Sequence, residues 1–187
     1  MNIASPILNY TSKVKAKINR IIADKDIIGN DNVRGSIYRN IFKGFIRTVN
    51  TQESGPYVSG DFPAVGAPFA DNQNIYLHFR LPYNINADSK MFWLKIRGYC
   101  FGGSQIIDTT AVGYSYAVTK QLLNTQVSSV QTAELYADTN GNVVLSILFP
   151  SIYYVTLEVD SMMVGNGTPI KRGMLQVKYS KSNRVVF

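Results

Sequence analysis

From Asn74 onward, apolar and polar positions alternate residue by residue. "NIYLHFRL" sets Ile75, Leu77, Phe79 and Leu81 against Tyr76, His78 and Arg80. "MFWLKIRGY" sets Phe92, Leu94 and Ile96 against Met91, Trp93, Lys95 and Arg97. "IYYVTLEVD" sets Tyr153, Val155, Leu157 and Val159 against Tyr154, Thr156, Glu158 and Asp160. A period of two sends each set to its own face of a strand, so each segment predicts a half-buried β-strand. Further β-rich runs are "QIIDTTAVGYSYAV", "NVVLSILF", "MLQVKYS" and the terminal "RVVF". The breaks between runs, "PYNINADS", "FGGS", "DTNGN" and "VGNGTPIKRG", are rich in turn-forming residues. About eight short strands with no helical interludes predict an all-β domain over 74–187, an antiparallel β-sandwich of jelly-roll-like form. Burial of Phe92, Leu94 and Ile96 is worth roughly 1.5–3 kcal/mol each. Gly98, Gly102 and Gly103 suggest a bulge and a tight turn.

The first fifty residues follow a different pattern. Ile7, Val14, Ile21 and Ile28 recur every seventh position, with Ile18 on the same stripe. Ser5 suits an N-cap, and Pro6 suits the first helical position. The pattern predicts a short amphipathic N-terminal helix, with a seam that two chains could share. Farther on, Val33, Ile37, Ile41 and Phe45 lie four apart, but their β-branched content leaves helix and strand level. Residues 51–73 carry Pro56, Pro63 and Pro68 among Gly, Asn and Asp and read as a linker.

Charge sharpens this division. The chain has 187 residues, a net charge of +7 and a pI near 9.5. Residues 1–50 hold nine Lys and Arg against three Asp, a net +6, so the β region is left near neutral. The basic stretch 1–50 therefore reads as a docking segment, with Lys13, Val14, Lys17, Ile18 and Ile21 as its anchoring residues. Alternatives for it are a helix packed on its own domain, or a membrane-surface or nucleic-acid contact. Interleaved Asp and the lack of a dense basic run argue against the last two. The longest apolar stretch, Val143 to Phe149, is too short to cross a bilayer, and the first residues have no continuous apolar run of the signal-peptide kind. The expectation is a protein made in the cytoplasm and not inserted in a membrane.

Candidate chemistry is sparse. His78 is the only histidine and lies within an alternating strand; a Ser-His-Asp arrangement would have to combine it with groups such as Ser104 or Asp108. The single cysteine, Cys100, sits between Tyr99 and Phe101, excludes an intrachain disulfide and reads as a buried thiol. "DTNGN" could bind calcium but reads more simply as a turn. The sequence predicts no enzymatic activity, no cofactor and no metal. Nucleic-acid binding requires aromatics and cations on one face, a condition that Trp93, Lys95 and Arg97 meet locally. The near-neutral β region makes a poor electrostatic footprint for it. Twelve tyrosines and loops rich in Asn, Gly and Ser also suit a glycan-binding, lectin-like surface. Trp93, Tyr114 and Tyr116 are the candidates for an outward contact surface.

Four phrases in order, "YLHFRLPYN", "MFWLKIRGYCFGG", "IIDTTAVGYSY" and "YYVTLEVDSMMVGNG", resemble the distal β domain of tailed-bacteriophage virion proteins, such as the tail fibres and surface appendages of marine phages. The resemblance spans roughly Asn74 to Tyr179. It implies a non-enzymatic structural protein of the virion that assembles as a homotrimer and contributes to host attachment; no catalytic or metal residues come with it. Two departures are the lack of an extended shaft before the domain and the chain ending just after its last strand. Both leave a tail fibre, a fibre adaptor and a capsid decoration protein as alternatives. The partners implied are other virion proteins, further copies of the chain and a host-surface glycan.

Overall fold

The computed structural model describes residues 33–47, 54–57, 73–102 and 105–187. In chain order the strands are β1 (Ile37–Arg47), β2 (Ser54–Tyr57), β3 (Gln73–Asn84), β4 (Lys90–Phe101), β5 (Gln105–Tyr116), β6 (Gln121–Ser129), β7 (Ala133–Ala137), β8 (Asn142–Ile152), β9 (Tyr154–Met162) and β10 (Gln176–Ser180). They form two antiparallel sheets. The first has the order β1-β9-β4-β5-β6 and the second β2-β10-β3-β8-β7. In the first sheet β4, β5 and β6 follow one another through short connections, and β9 returns to lie beside β4, the order of a Greek key. The expected all-β class holds, and no described residue is helical.

The inner faces of both sheets contribute to one core. Ile75, Leu77, Phe79 and Leu81 of β3, Phe92, Leu94 and Ile96 of β4, and Val155, Leu157 and Val159 of β9 are all buried, as their alternation requires. Rings meet across the gap between the sheets. Phe42 of β1 approaches Phe79 edge-on at 6.4 Å, and Tyr83 of β3 stacks near Phe92 at 6.1 Å.

The basic stretch 1–50, read as one docking segment, gives its last part to the sheet, which resolves the choice left level between helix and strand. Ile37–Arg47 is strand β1, paired with β9, and it buries Tyr38, Ile41 and Phe42 in the core. The four-residue spacing does not mark a single face, Ile41 being buried and Phe45 exposed, because the pairing slips between Tyr38 and Phe42, where β1 advances four residues while β9 advances two. Asn40, with φ of 53°, occupies that irregularity, and its amide donates to Asp160 at 2.9 Å. The linker likewise contains a strand, β2, and the β region begins at Gln73. Residues 1–32, with Lys13, Val14, Lys17, Ile18 and Ile21, lie outside the described residues.

Strands β6 and β7 do not stand out in the sequence. β6 is an edge strand, half-exposed along its length, so it needs no apolar alternation, and its Asn124, Gln126 and Ser128 suit an unpaired edge. The terminal "RVVF" is not a strand. It belongs to a tail that crosses the outer face of the second sheet. Phe187 N–H donates to Asp138 at 2.9 Å, and Lys178 Nζ donates to the Val186 carbonyl at 2.7 Å. That cover explains the run Val143–Ile147, buried on both faces of β8.

Asp138 fastens the tail and the β7–β8 hairpin together. Its carboxylate accepts from the Asn140 and Asn142 amides at 2.9 Å each, from Asn142 Nδ2 at 3.0 Å and from Phe187 N–H. Gly141, at φ of 84°, completes the turn that "DTNGN" predicts. Asp138→Ala leaves these donors without their acceptor and is expected to lower unfolding free energy by about 2 kcal/mol in urea titrations.

Candidate functional site

The outer face of the first sheet is built from rows that the strand registers define. Along β4 the outward positions are Met91, Trp93, Lys95, Arg97, Tyr99 and Phe101, so two cations lie between aromatic ends. Lys43 of β1 pairs in register with Glu158 of β9, Glu158 with Arg97 of β4, and Arg97 with Asp108 of β5. One row across four strands thus alternates in charge. The neighbouring row holds Asp160, Lys95 and Thr110. Arg97 reaches Glu158 at 2.9 Å and Asp160 at 2.7 Å, and Lys95 bonds to Asp108 and Thr110. Three cations meet three carboxylates, so the charges of these two rows cancel.

On the other side of the charged row the face turns apolar. Phe45, Thr156, Tyr99 and Ile106 are in register across β1, β9, β4 and β5, followed by Tyr154 and Phe101 on β9 and β4. Phe45, Tyr99, Phe101, Ile106 and Tyr154 are all exposed, Ile106 by 69%. Phe45 stacks on Tyr154 with ring centroids 6.0 Å apart, and Phe101 lies 6.2 Å from the same ring. A groove of about 410 Å³ runs over Thr156, lined also by Lys43, Phe45, Arg97 and Glu158. Exposed apolar side chains clustered in this way are a feature of surfaces that contact other molecules.

Gly98 lies between these two rows. The pairing of β4 with both neighbours runs through it unbroken, Gly98 opposite Ile107 on one side and Leu157 on the other, so it is not the expected bulge. It is a point of close backbone approach, where a Cβ would come within 2.8 Å of Leu157 Cα and nearer still to the Thr156 carbonyl oxygen.

Of the outward residues expected from sequence, Trp93 and Tyr114 line one groove of about 240 Å³ with Met91, Asn124 and Val164. Tyr116 stacks on Tyr114 at 5.4 Å. The structure therefore brings the three together, at the opposite end of the face from the larger patch, and each is half-buried. The patch of Phe45, Tyr99, Phe101, Ile106 and Tyr154 was missed. Its signal was present in part, because the alternation of β4 continues past Gly98 and sends Tyr99 and Phe101 outward after Arg97.

His78 lies on the far side of the molecule, on the outer face of β3, buried under the tail. Its Nε2 is 3.1 Å from both the Ser182 carbonyl and the Ser180 hydroxyl. A carbonyl accepts only, so the proton is on Nε2, and Nδ1 faces the Tyr136 hydroxyl at 3.4 Å. Burial drives the pKa of His78 down to about 4, against the bond to Ser182, which raises it, and with Lys178 nearby also lowering it. The Ser180 hydroxyl donates to Ser182, so this Ser–His pair fastens the tail. Asp108, the acid considered for a triad, is on the outer face of the other sheet, bonded to Lys95; Ser104 lies outside the described residues. Burial raises the Cys100 thiol to about 11, which keeps it protonated and unreactive at neutral pH. Comparison with protein-family models, with curated proteins and with solved structures finds no match to this chain.

Proposed function

We propose that this chain is a non-enzymatic structural protein of a bacteriophage virion, a tail fibre, fibre adaptor or capsid decoration protein. It would be made in the host cytoplasm and incorporated into particles. The reading is supported by the resemblance carried on four phrases, which fall on β3, β4, β5 and β9. The observation that carries it furthest is the outer face of the first sheet, where charged rows adjoin an exposed aromatic patch, a surface suited to contact with other proteins. The two packed sheets are read as a β-sandwich with jelly-roll-like character. Its basis is the linked pair β3·β10 and β4·β9, which sets two neighbouring strands against two others, one pair in each sheet. The part of the basic stretch 1–50 that precedes β1 would act as the docking arm, with Lys13, Val14, Lys17, Ile18 and Ile21 as its anchors, and the chains would assemble as a homotrimer.

A second reading, a glycan-binding module for host recognition, draws on the groove between Trp93 and Tyr114, where aromatic faces adjoin the Asn124 amide. One set of variants tests both. Deleting residues 1–32, which leaves β1 intact, is expected to give a folded protein that no longer enters particles; normal incorporation overturns the docking arm. Tyr114→Ala is expected to leave incorporation unchanged. Saturable binding of host polysaccharide by the full chain, lost in Tyr114→Ala, would instead favour the glycan reading.

A further inference from the structure

We infer that the outer face of the first sheet binds a second copy of itself, face to face, about a two-fold axis running parallel to the strands between β9 and β4. This deepens the self-association part of the virion reading, and the pairing stands or falls separately from it.

The argument is one of register. Such an axis keeps each row at its own level and reverses its order, so that β1 of one copy lies over β5 of the other and β9 over β4. The row Lys43, Glu158, Arg97, Asp108 then meets its own reverse. Lys43 faces Asp108 and Glu158 faces Arg97, so every cation lies over a carboxylate. In the next row Asp160 faces Lys95 by the same operation. A parallel shift of one strand would set like charges together, so the pattern selects this axis among the alternatives.

Shape and polarity agree. In the apolar rows Phe45 lies over Ile106, Tyr154 over Phe101, and Tyr99 over Thr156. Thr156 is the small residue beneath the groove of about 410 Å³, between Phe45 and Tyr99, so each copy offers a ring where the other offers a hollow. β6 pairs with β5 only as far as Thr109; beyond it Val130 N–H and Gln131 Nε2 donate to the Asp108 and Ile106 carbonyls. The four strands that carry these rows are therefore centred on the proposed axis, with the β6–β7 connection along their β5 side. Ile106, the most exposed member of the patch, becomes covered. Packed sheets stand about 10 Å apart, within reach of these side chains from both copies.

The test is the native mass of the full chain by sedimentation velocity, with far-UV circular dichroism to confirm folding. Ile106→Lys, at a site that makes little contact within its own chain, is expected to halve the native mass. Asp108→Lys is expected to do the same by placing two lysines together. Adding Lys43→Asp to Asp108→Lys is expected to restore the mass. Within one chain these positions are three strands, about 14 Å, apart, so rescue can act only between chains. A wild-type chain that stays monomeric at high concentration overturns the inference. So does a mass unchanged by Ile106→Lys, or a failure of the charge swap to restore association. None of these outcomes bears on particle incorporation, which the deletion of residues 1–32 reads.

Discussion

Gly98→Ala is expected to destabilise the fold by about 3 kcal/mol, at the upper end of what overpacking costs. A methyl group there would lie 2.8 Å from Leu157 Cα and closer still to the Thr156 carbonyl oxygen. Both are backbone atoms of β9, so no rotamer change relieves the contact, and β4 and β9 would have to part in the middle of the sheet. Gly173→Ala is the matched control. Gly173 has φ of 85° but nothing within 4 Å of an added Cβ, so that change tests backbone strain without crowding and should cost about 1 kcal/mol. Urea unfolding of both variants beside the wild type separates the two effects. Equal costs would mean that close approach is not what holds Gly98. The larger loss should also weaken self-association, because Gly98 sets the spacing of Arg97 and Tyr99 over β9.

Lowering the pH from 7 to 4 is expected to remove about 3 kcal/mol of stability through His78 alone. The unfolded chain protonates this histidine near 6.5, and the folded chain near 4. Between those values the unfolded state binds more protons, so the stabilisation is complete above 6.5 and is lost as pH falls towards 4. The groups around the imidazole are Tyr76 beside it on β3, Lys178 on β10, Tyr136 and Glu134 on β7, and Arg184 from the tail. Burial dominates, and the nearby Lys178 charge acts in the same direction. At lower pH Asp138 contributes a further loss. Burial alone would raise its pKa, but the N–H groups of Phe187, Asn142 and Asn140 outweigh that and hold it below the ordinary carboxylate value. Its contribution therefore disappears only in stronger acid, with the Phe187 anchor. The check is unfolding free energy against pH for the wild type and for His78→Gln, which keeps a donor towards Ser182 but does not titrate. The wild type should lose about 3 kcal/mol more than the variant between pH 7 and 4; parallel curves would overturn the assignment. Loss of tail protection in hydrogen exchange should accompany the transition.

Much of the fold could be read along the chain, and the reason is local. Alternation placed Ile75 to Leu81, Phe92 to Ile96 and Val155 to Val159 in the core because successive strand side chains must point to opposite faces, whatever lies across the sheet. "DTNGN" announced its hairpin because Asp138 bonds to amides two and four residues ahead and Gly141 accepts a positive φ. Where burial and pattern parted, the cause lay elsewhere in the molecule. β1 is a strand because β9 pairs with it and absorbs the slip at Asn40. "RVVF" is a tail because Asp138, Tyr136 and Lys178 receive it. His78 alternates as a solvent-facing residue and is buried because that tail covers it. The candidate site belongs to this second kind. Residues 43, 97, 108 and 158 are scattered in sequence, and nothing in their local patterns states that they share a row. The sequence alone determined which side of its strand each residue faces, a matter of backbone geometry between neighbours. Strand order and register, set by long-range pairing and packing, decided which outward residues meet, and so made one face of this sheet complementary to itself.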